Sequence, residues 1–166
     1  MTHLYLIRHG NNIDGLEDGK DRDLGLSPQG FRQSERLRDR LVRTGEIKPD
    51  VFIFSPDEFM ERTRQIPKGQ EAYYPWVKGY ENRLEFSLQV HLALNRILQE
   101  HTGKTIVLLT HGAFLQNSFG FFFGHAEANL ERAAPEVAKT SISHWRTSQD
   151  GNRWILERSN DYHHLL

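Results

Sequence analysis

Two stretches far apart in the chain end alike. Leu4–Gly10 reads LYLIRHG and Ile106–Gly112 reads IVLLTHG, so each short apolar run passes into His-Gly. An imidazole has an ordinary pKa of about 6.5, so near neutrality it can attack an electrophile or donate a proton. Arg8, beside His9, carries a planar fork of N–H donors that suits phosphate oxygens. Gly10 and Gly112 remove side chains where a ligand must come close to the backbone. Two histidines with an arginine fit an anionic phosphate ester better than a carbonyl compound. The sequence has no Gly-x-Ser-x-Gly elbow, HExxH, Walker loop or Gly-x-Gly-x-x-Gly. One strand-end histidine is usually a packed or capping residue. Two in matched settings, one of them next to arginine, read as a site.

The elements that must position these residues can be read from the same chain. Leu4–Ile7, Asp50–Pro56 and Thr105–Thr110 are short, continuously apolar runs, the pattern of strands buried on both faces. A polar, glycine-rich loop is expected over Asn11–Gly25. Ser27 as N-cap and Pro28 at the first helical position then open a helix that Gly45 ends. Phe31, Leu37 and Leu41 give it a narrow apolar face. Arg36, Arg38, Arg40 and Arg43, mixed with Glu35 and Asp39, read as a solvated face with i,i+4 pairs. A short helix is expected in Asp57–Gln65, then a loop holding Tyr73, Tyr74 and Trp76. A long helix over about Asn82–His101 carries a broad face of Leu84, Leu88, Val90, Leu92, Leu94, Ile97 and Leu98. Another helix follows Gly112, with Phe119–Gly124 as core packing. Near the end, two strand-like runs flank Asp150-Gly151, a hairpin signal. Alternating strands and helices predict an α/β three-layer sandwich, a mostly parallel central sheet flanked by helices. Ligands sit at the carboxyl ends of such strands. His9 and His111 therefore converge if their strands are neighbours.

Composition narrows the function. The 166 residues suit one domain spanning 1–166, and 37% hydrophobic with 26% charged residues is ordinary for a globular protein. A net charge of −1 provides no basic field for nucleic acid. Without cysteine there is neither a disulfide nor a thiolate metal site. No run approaches the ~20 apolar residues of a membrane span, and the N-terminus lacks a basic leader segment. A cytoplasmic protein is the expectation. His163 and His164 lack further ligands at metal-binding spacing, and His91 reads as a packing residue.

At LIRHG the chain resembles the histidine phosphatase superfamily, in its phosphoglycerate mutase-like branch. LYLIRHG is similar to that family's phosphohistidine signature, DLGLSPQGFRQSERL to the loop and helix after it, TIVLLTHGAFLQ to its second histidine motif, and NRWILERSNDYHHL to its C-terminal segment. The resemblance implies a phosphoglycerate mutase-like fold with no metal and no cofactor. It implies His9 as nucleophile, Arg8 binding the transferring phosphoryl group and His111 stabilising its charge. Gly10, Asn12 and the Gly112 amide are then the phosphate-binding set. Asn11 and Asn12 replace the family's acid and threonine, with Asn12 the chosen donor. Gly15 stands where an asparagine is usual. After Ser55-Pro56 the family's arginine is not in register, since Arg62 and Arg64 come too late, and its general-acid glutamate has no clear counterpart. Glu81 and Glu85 are similar to residues leading into the long helix. A middle segment with one helix and one strand is therefore expected to be missing between Pro56 and Asp57. The resemblance implies a phosphatase acting on a small phosphomonoester, impaired if the acid is absent. The alternatives are a phosphoglycerate-type mutase and a degenerate, non-catalytic domain that binds phosphorylated ligands or a protein partner. A homodimer is left open.

Overall fold

The computed structural model describes residues 1–13, 16–17, 20–21, 25–55, 81–124 and 133–166, with only the backbone of 16–17 and 20–21. In chain order its strands are β1 (His3–Arg8), β2 (Leu16–Glu17), β3 (Lys20–Asp21), β4 (Val51–Phe54), β5 (Thr105–Thr110), β6 (Ile142–Thr147) and β7 (Trp154–Asp161). The helices are α1 (Pro28–Thr44), α2 (Arg83–Glu100) and α3 (Gly112–Phe123), followed by a 3-10 turn at His163–Leu165. The main sheet runs β4-β5-β1-β6-β7, and β2 pairs with β3 apart from it. β4, β5 and β1 are parallel, while β6 runs against both β1 and β7. The sheet is thus mixed, with one strand opposed to the other four.

Side chains alternate across each strand, which divides the core into two layers. On one face Leu4, Leu6, Ile106, Leu108 and Trp145 pack with Val90 and Leu94 of α2 and Leu115 of α3. On the other, Tyr5, Ile7, Val107 and Ile142 pack with Leu37 and Leu41 of α1. The result is the expected three-layer α/β architecture. Phe119, Phe121 and Phe122 join the first cluster, and the Phe122 ring stacks on Trp145 at 4.2 Å.

Local signals account for the helix boundaries. Ser27 accepts a hydrogen bond from Gly30 N–H at 3.1 Å, Pro28 opens α1, and Gly45 closes it in the left-handed region (φ 59°). Asn82 and Glu85 form a reciprocal capping box at the start of α2. The β6–β7 hairpin forms around Gly151, whose φ is 75°.

Four expectations change. The stretch Asn11–Gly25, read as a loop, contains the short antiparallel β2–β3 pair. Among the described strands β4 lies at the edge of the sheet rather than inside it: Phe52 and Phe54 are 49% and 67% exposed, while Val51 and Ile53 pack inward. The apolar face of α2 is narrower, with Leu88 and Leu92 exposed, and Phe31 of α1 is exposed too. The arginine run of α1 is not simply a solvated face. Arg40, its side chain 11% exposed, bonds Asp161 at the end of β7 and Glu46, and Arg158 pairs with the same two carboxylates. Arg38 pairs with its immediate neighbour Asp39 instead of one turn away. Gly15, the expected break between Pro56 and Asp57, the Asp57–Gln65 helix, Arg62, Arg64, Tyr73, Tyr74 and Trp76 lie outside the described residues. Among the described residues no helix is long and apolar enough to cross a membrane.

Candidate active site

The site follows from the pairing of two strands. β1 and β5 are parallel neighbours with Arg8 opposite Thr110. The His9 N–H donates to Thr110 O at 3.0 Å, which carries the pairing one step further. Both chains leave the sheet at the same level and in the same direction. The His9 and His111 rings consequently lie side by side, with centroids 5.0 Å apart and planes inclined by 54°. His111 is the N-cap residue of α3, yet its side chain does not cap the helix. The first amides of α3 therefore open toward the site with the positive end of the helix dipole.

The proton on His9 can be assigned from its partners. Nδ1 lies 2.7 Å from Gly10 O and 3.0 Å from Asn12 Oδ1. Both partners are oxygens that only accept, so Nδ1 carries the hydrogen and the lone pair resides on Nε2. Burial lowers the pKa of His9 from its ordinary value, and Lys139, His111 and Arg8 add to the effect, partly offset by the Gly10 hydrogen bond. The ring is held neutral near pH 7 with Nε2 ready to attack.

The two asparagines after Gly10 separate in role. Asn11 is turned to α1: its N–H donates to Gln33 Oε1 at 2.9 Å and its Nδ2 to Gln29 Oε1 at 3.1 Å. Asn12 faces His9, but its Oδ1 sits on the Nδ1 edge of the ring, away from Nε2.

Arg8 is held against the sheet edge. Its NH1 donates to Val137 O, and its Nε is buried without a partner. Burial lowers its pKa, though a guanidinium stays charged at neutral pH. Gly112 makes room for it, since a Cβ there would stand 3.1 Å from Arg8 Cζ. At Gly10 a Cβ would stand 2.8 Å from Gly30 O, and at Gly30 it would stand 2.0 Å from Asn11 O. The space left by Gly10 and Gly112 is thus occupied by the protein itself, by α1 and by the arginine. The paired glycines 10 and 30 let the first turn of α1 lie directly on the loop that carries His9.

The segment before β6 completes the site, and nothing local in the sequence marked it. Thr140 N–H donates to Arg8 O at 3.1 Å and to His9 O at 3.4 Å, and Arg8 N–H donates to Ser141 O at 3.2 Å. Thr140 has φ 58°, unusual for a β-branched residue. Its Oγ1 is 2.9 Å from His164 Nε2, while His163 bonds Asp161. Among the described residues no group of three or more His, Asp or Glu could hold a metal ion.

The family described as histidine phosphatase superfamily (branch 1) matches residues 55–162, a stretch that includes His111 and begins after His9. No curated protein matches the chain by sequence. Several solved structures share its fold. A phosphoserine phosphatase mutant from Entamoeba histolytica, in complex with phosphoserine, superposes with a TM-score of 0.68 at 17% identity, over 100% of both chains. A mycobacterial glucosyl-3-phosphoglycerate phosphatase in complex with VO3 gives 0.64 at 15%, over 95% of this chain and 98% of that one. Phosphoglycerate mutase from Bacillus anthracis gives 0.67 at 14%, over 99% and 95%.

Proposed function

The chain belongs to the histidine phosphatase superfamily, branch 1, and we propose that it hydrolyses a small phosphomonoester through a phosphohistidine at His9. The observation that carries this reading is the 5.0 Å approach of the His9 and His111 rings beside Arg8. Neutral His9, with its proton fixed on Nδ1, attacks phosphorus through the Nε2 lone pair. The N–P bond forms as the ester P–O bond breaks, and the leaving oxygen takes its proton from solvent. Water then attacks the phosphohistidine, releases inorganic phosphate and returns the lone pair to Nε2. The covalent intermediate divides one difficult displacement into two easier ones.

Phosphoryl transfer depends on positioning and on compensating charge at the equatorial oxygens. Arg8 supplies a permanent cation, His111 a second imidazole, and the Gly112 amide at the start of α3 a backbone donor. Gly10 O and Asn12 orient His9 from behind. Structural relatives named as phosphatases of phosphoserine and of glucosyl-3-phosphoglycerate support a small phosphorylated metabolite as substrate.

The test is release of phosphate from an aryl phosphate by the wild-type protein and by His9→Ala. Release that depends on His9 supports a phosphatase. Equal rates in both proteins reject it in favour of a binding domain.

A further inference from the structure

The transferring phosphoryl group carries two negative charges, and Arg8 offers one permanent positive charge. We infer that Lys139 is the second cation of the site and binds a non-bridging oxygen of that phosphoryl group. This rests on the phosphatase reading above and names a catalytic residue for it.

The placement comes from the backbone. Lys139 lies between residues tied to the catalytic strand end: Val137 O accepts from the Arg8 guanidinium, and Thr140 N–H donates to Arg8 O and His9 O. The turn is fixed from outside as well. Ser141 N–H donates to Ala138 O at 3.1 Å, Ala138 N–H to Asn160 Oδ1 at 2.6 Å, and Thr140 Oγ1 meets His164. Thr140 adopts the left-handed region to make this turn, a strain of the kind that surrounding structure sustains at functional sites. Among the described residues, positive or titratable groups acting on His9 include Arg8 from β1, His111 from the start of α3 and Lys139 from this turn. Positive charge on Lys139 acts with His111 and Arg8 to disfavour the imidazolium of His9. The flexible four-carbon stem of a lysine lets an ammonium anchored at this turn, one residue from the amide bonded to His9 O, reach a phosphoryl bound at Nε2. Lys139 as a residue is partly buried, so charge here is less screened than on an open surface.

The experiment uses inorganic phosphate as probe. Calorimetry compares its dissociation constant for wild type, Lys139→Met, Lys139→Gln and Lys139→Arg. NMR titration of the His9 imidazole in the same proteins, without ligand, reports the electrostatics and confirms that each is folded. The two neutral variants are expected to bind phosphate about 10- to 100-fold more weakly, the range for a lost charge-assisted hydrogen bond. Their His9 pKa is expected to rise, since a cation that disfavours imidazolium has gone. Lys139→Arg retains most of the affinity. Unchanged phosphate binding or an unchanged His9 pKa in both neutral variants overturns the assignment, and so does an equal loss in Lys139→Arg. The phosphatase reading fails separately: wild type then releases aryl-bound phosphate no faster than His9→Ala, while phosphate binding still depends on Lys139.

Discussion

Gly30→Ala should damage this protein although it improves the helix propensity of α1. In an ordinary helix the change stabilises by about 1 kcal/mol. Here the new Cβ would stand 2.0 Å from Asn11 O and 2.9 Å from Asn11 N, where contacts under 3.0 Å essentially never occur. Helix and loop must therefore part by about 1 Å to relieve the first contact alone. Both partners are backbone, so no side chain can swing aside. Overpacking of this kind costs about 1–3 kcal/mol, enough to reverse the propensity gain. The same movement displaces the segment carrying His9, Gly10 and Asn12, and a shift of about 1 Å at a reacting group costs on the order of 10²-fold in rate. Urea unfolding and kcat/KM on an aryl phosphate measure both effects. A Gly30→Ala protein more stable than wild type with unchanged kcat/KM would refute the close approach of α1 to the catalytic loop.

Four further outcomes are expected. His144, stacked on Tyr5 at 4.0 Å and bonded to His3, is held down to about 4, chiefly by burial and then by His3 and Arg158. A histidine kept neutral stabilises above its unfolded value near 6.5 and loses that contribution as pH falls toward 4, so urea midpoints should drop across this window and drop less in His144→Asn. Arg40→Met removes one of the two arginines that hold Asp161 and Glu46, with Arg158 remaining, and should cost about 1–3 kcal/mol in urea unfolding; an unchanged midpoint would contradict the pairing. Asn12→Ala should lower kcat with little change in KM, because Gly10 O still holds Nδ1; a large rise in KM alone would instead place Asn12 on the substrate. With no glutamate in clear register with the family's general acid, nitrophenyl phosphate should be hydrolysed about 10²- to 10⁴-fold faster than an alkyl phosphate, and equal rates would reveal a general acid.

Much of the catalytic arrangement could be read from residue types alone. Two buried-type strands ending in His-Gly place His9 and His111 together once the strands pair, and parallel α/β sheets make that pairing common. Ser27, Pro28, Gly45 and Asn82 mark helix ends because capping is a local interaction. What could not be read depends on distant partners. VFIF is apolar throughout, so its pattern cannot tell an edge strand with two exposed phenylalanines from a central one. Arg40 finds Asp161 across 121 positions. Gly10 is explained by Gly30 and Gly112 by Arg8, contacts that exist only after α1 and α3 have docked. Lys139 reaches the site only because β6 pairs antiparallel with β1, a choice that no local signal encodes.

In the proposed reaction phosphorus passes through the His9 imidazole. Rapid-quench trapping with a labelled aryl phosphate, followed by peptide mapping, tests it directly. An acid-labile, base-stable phosphoryl group is expected on the peptide containing His9, formed at least as fast as turnover and absent in His9→Ala. Turnover with no phosphoryl on His9, or with the label on another residue, would contradict it.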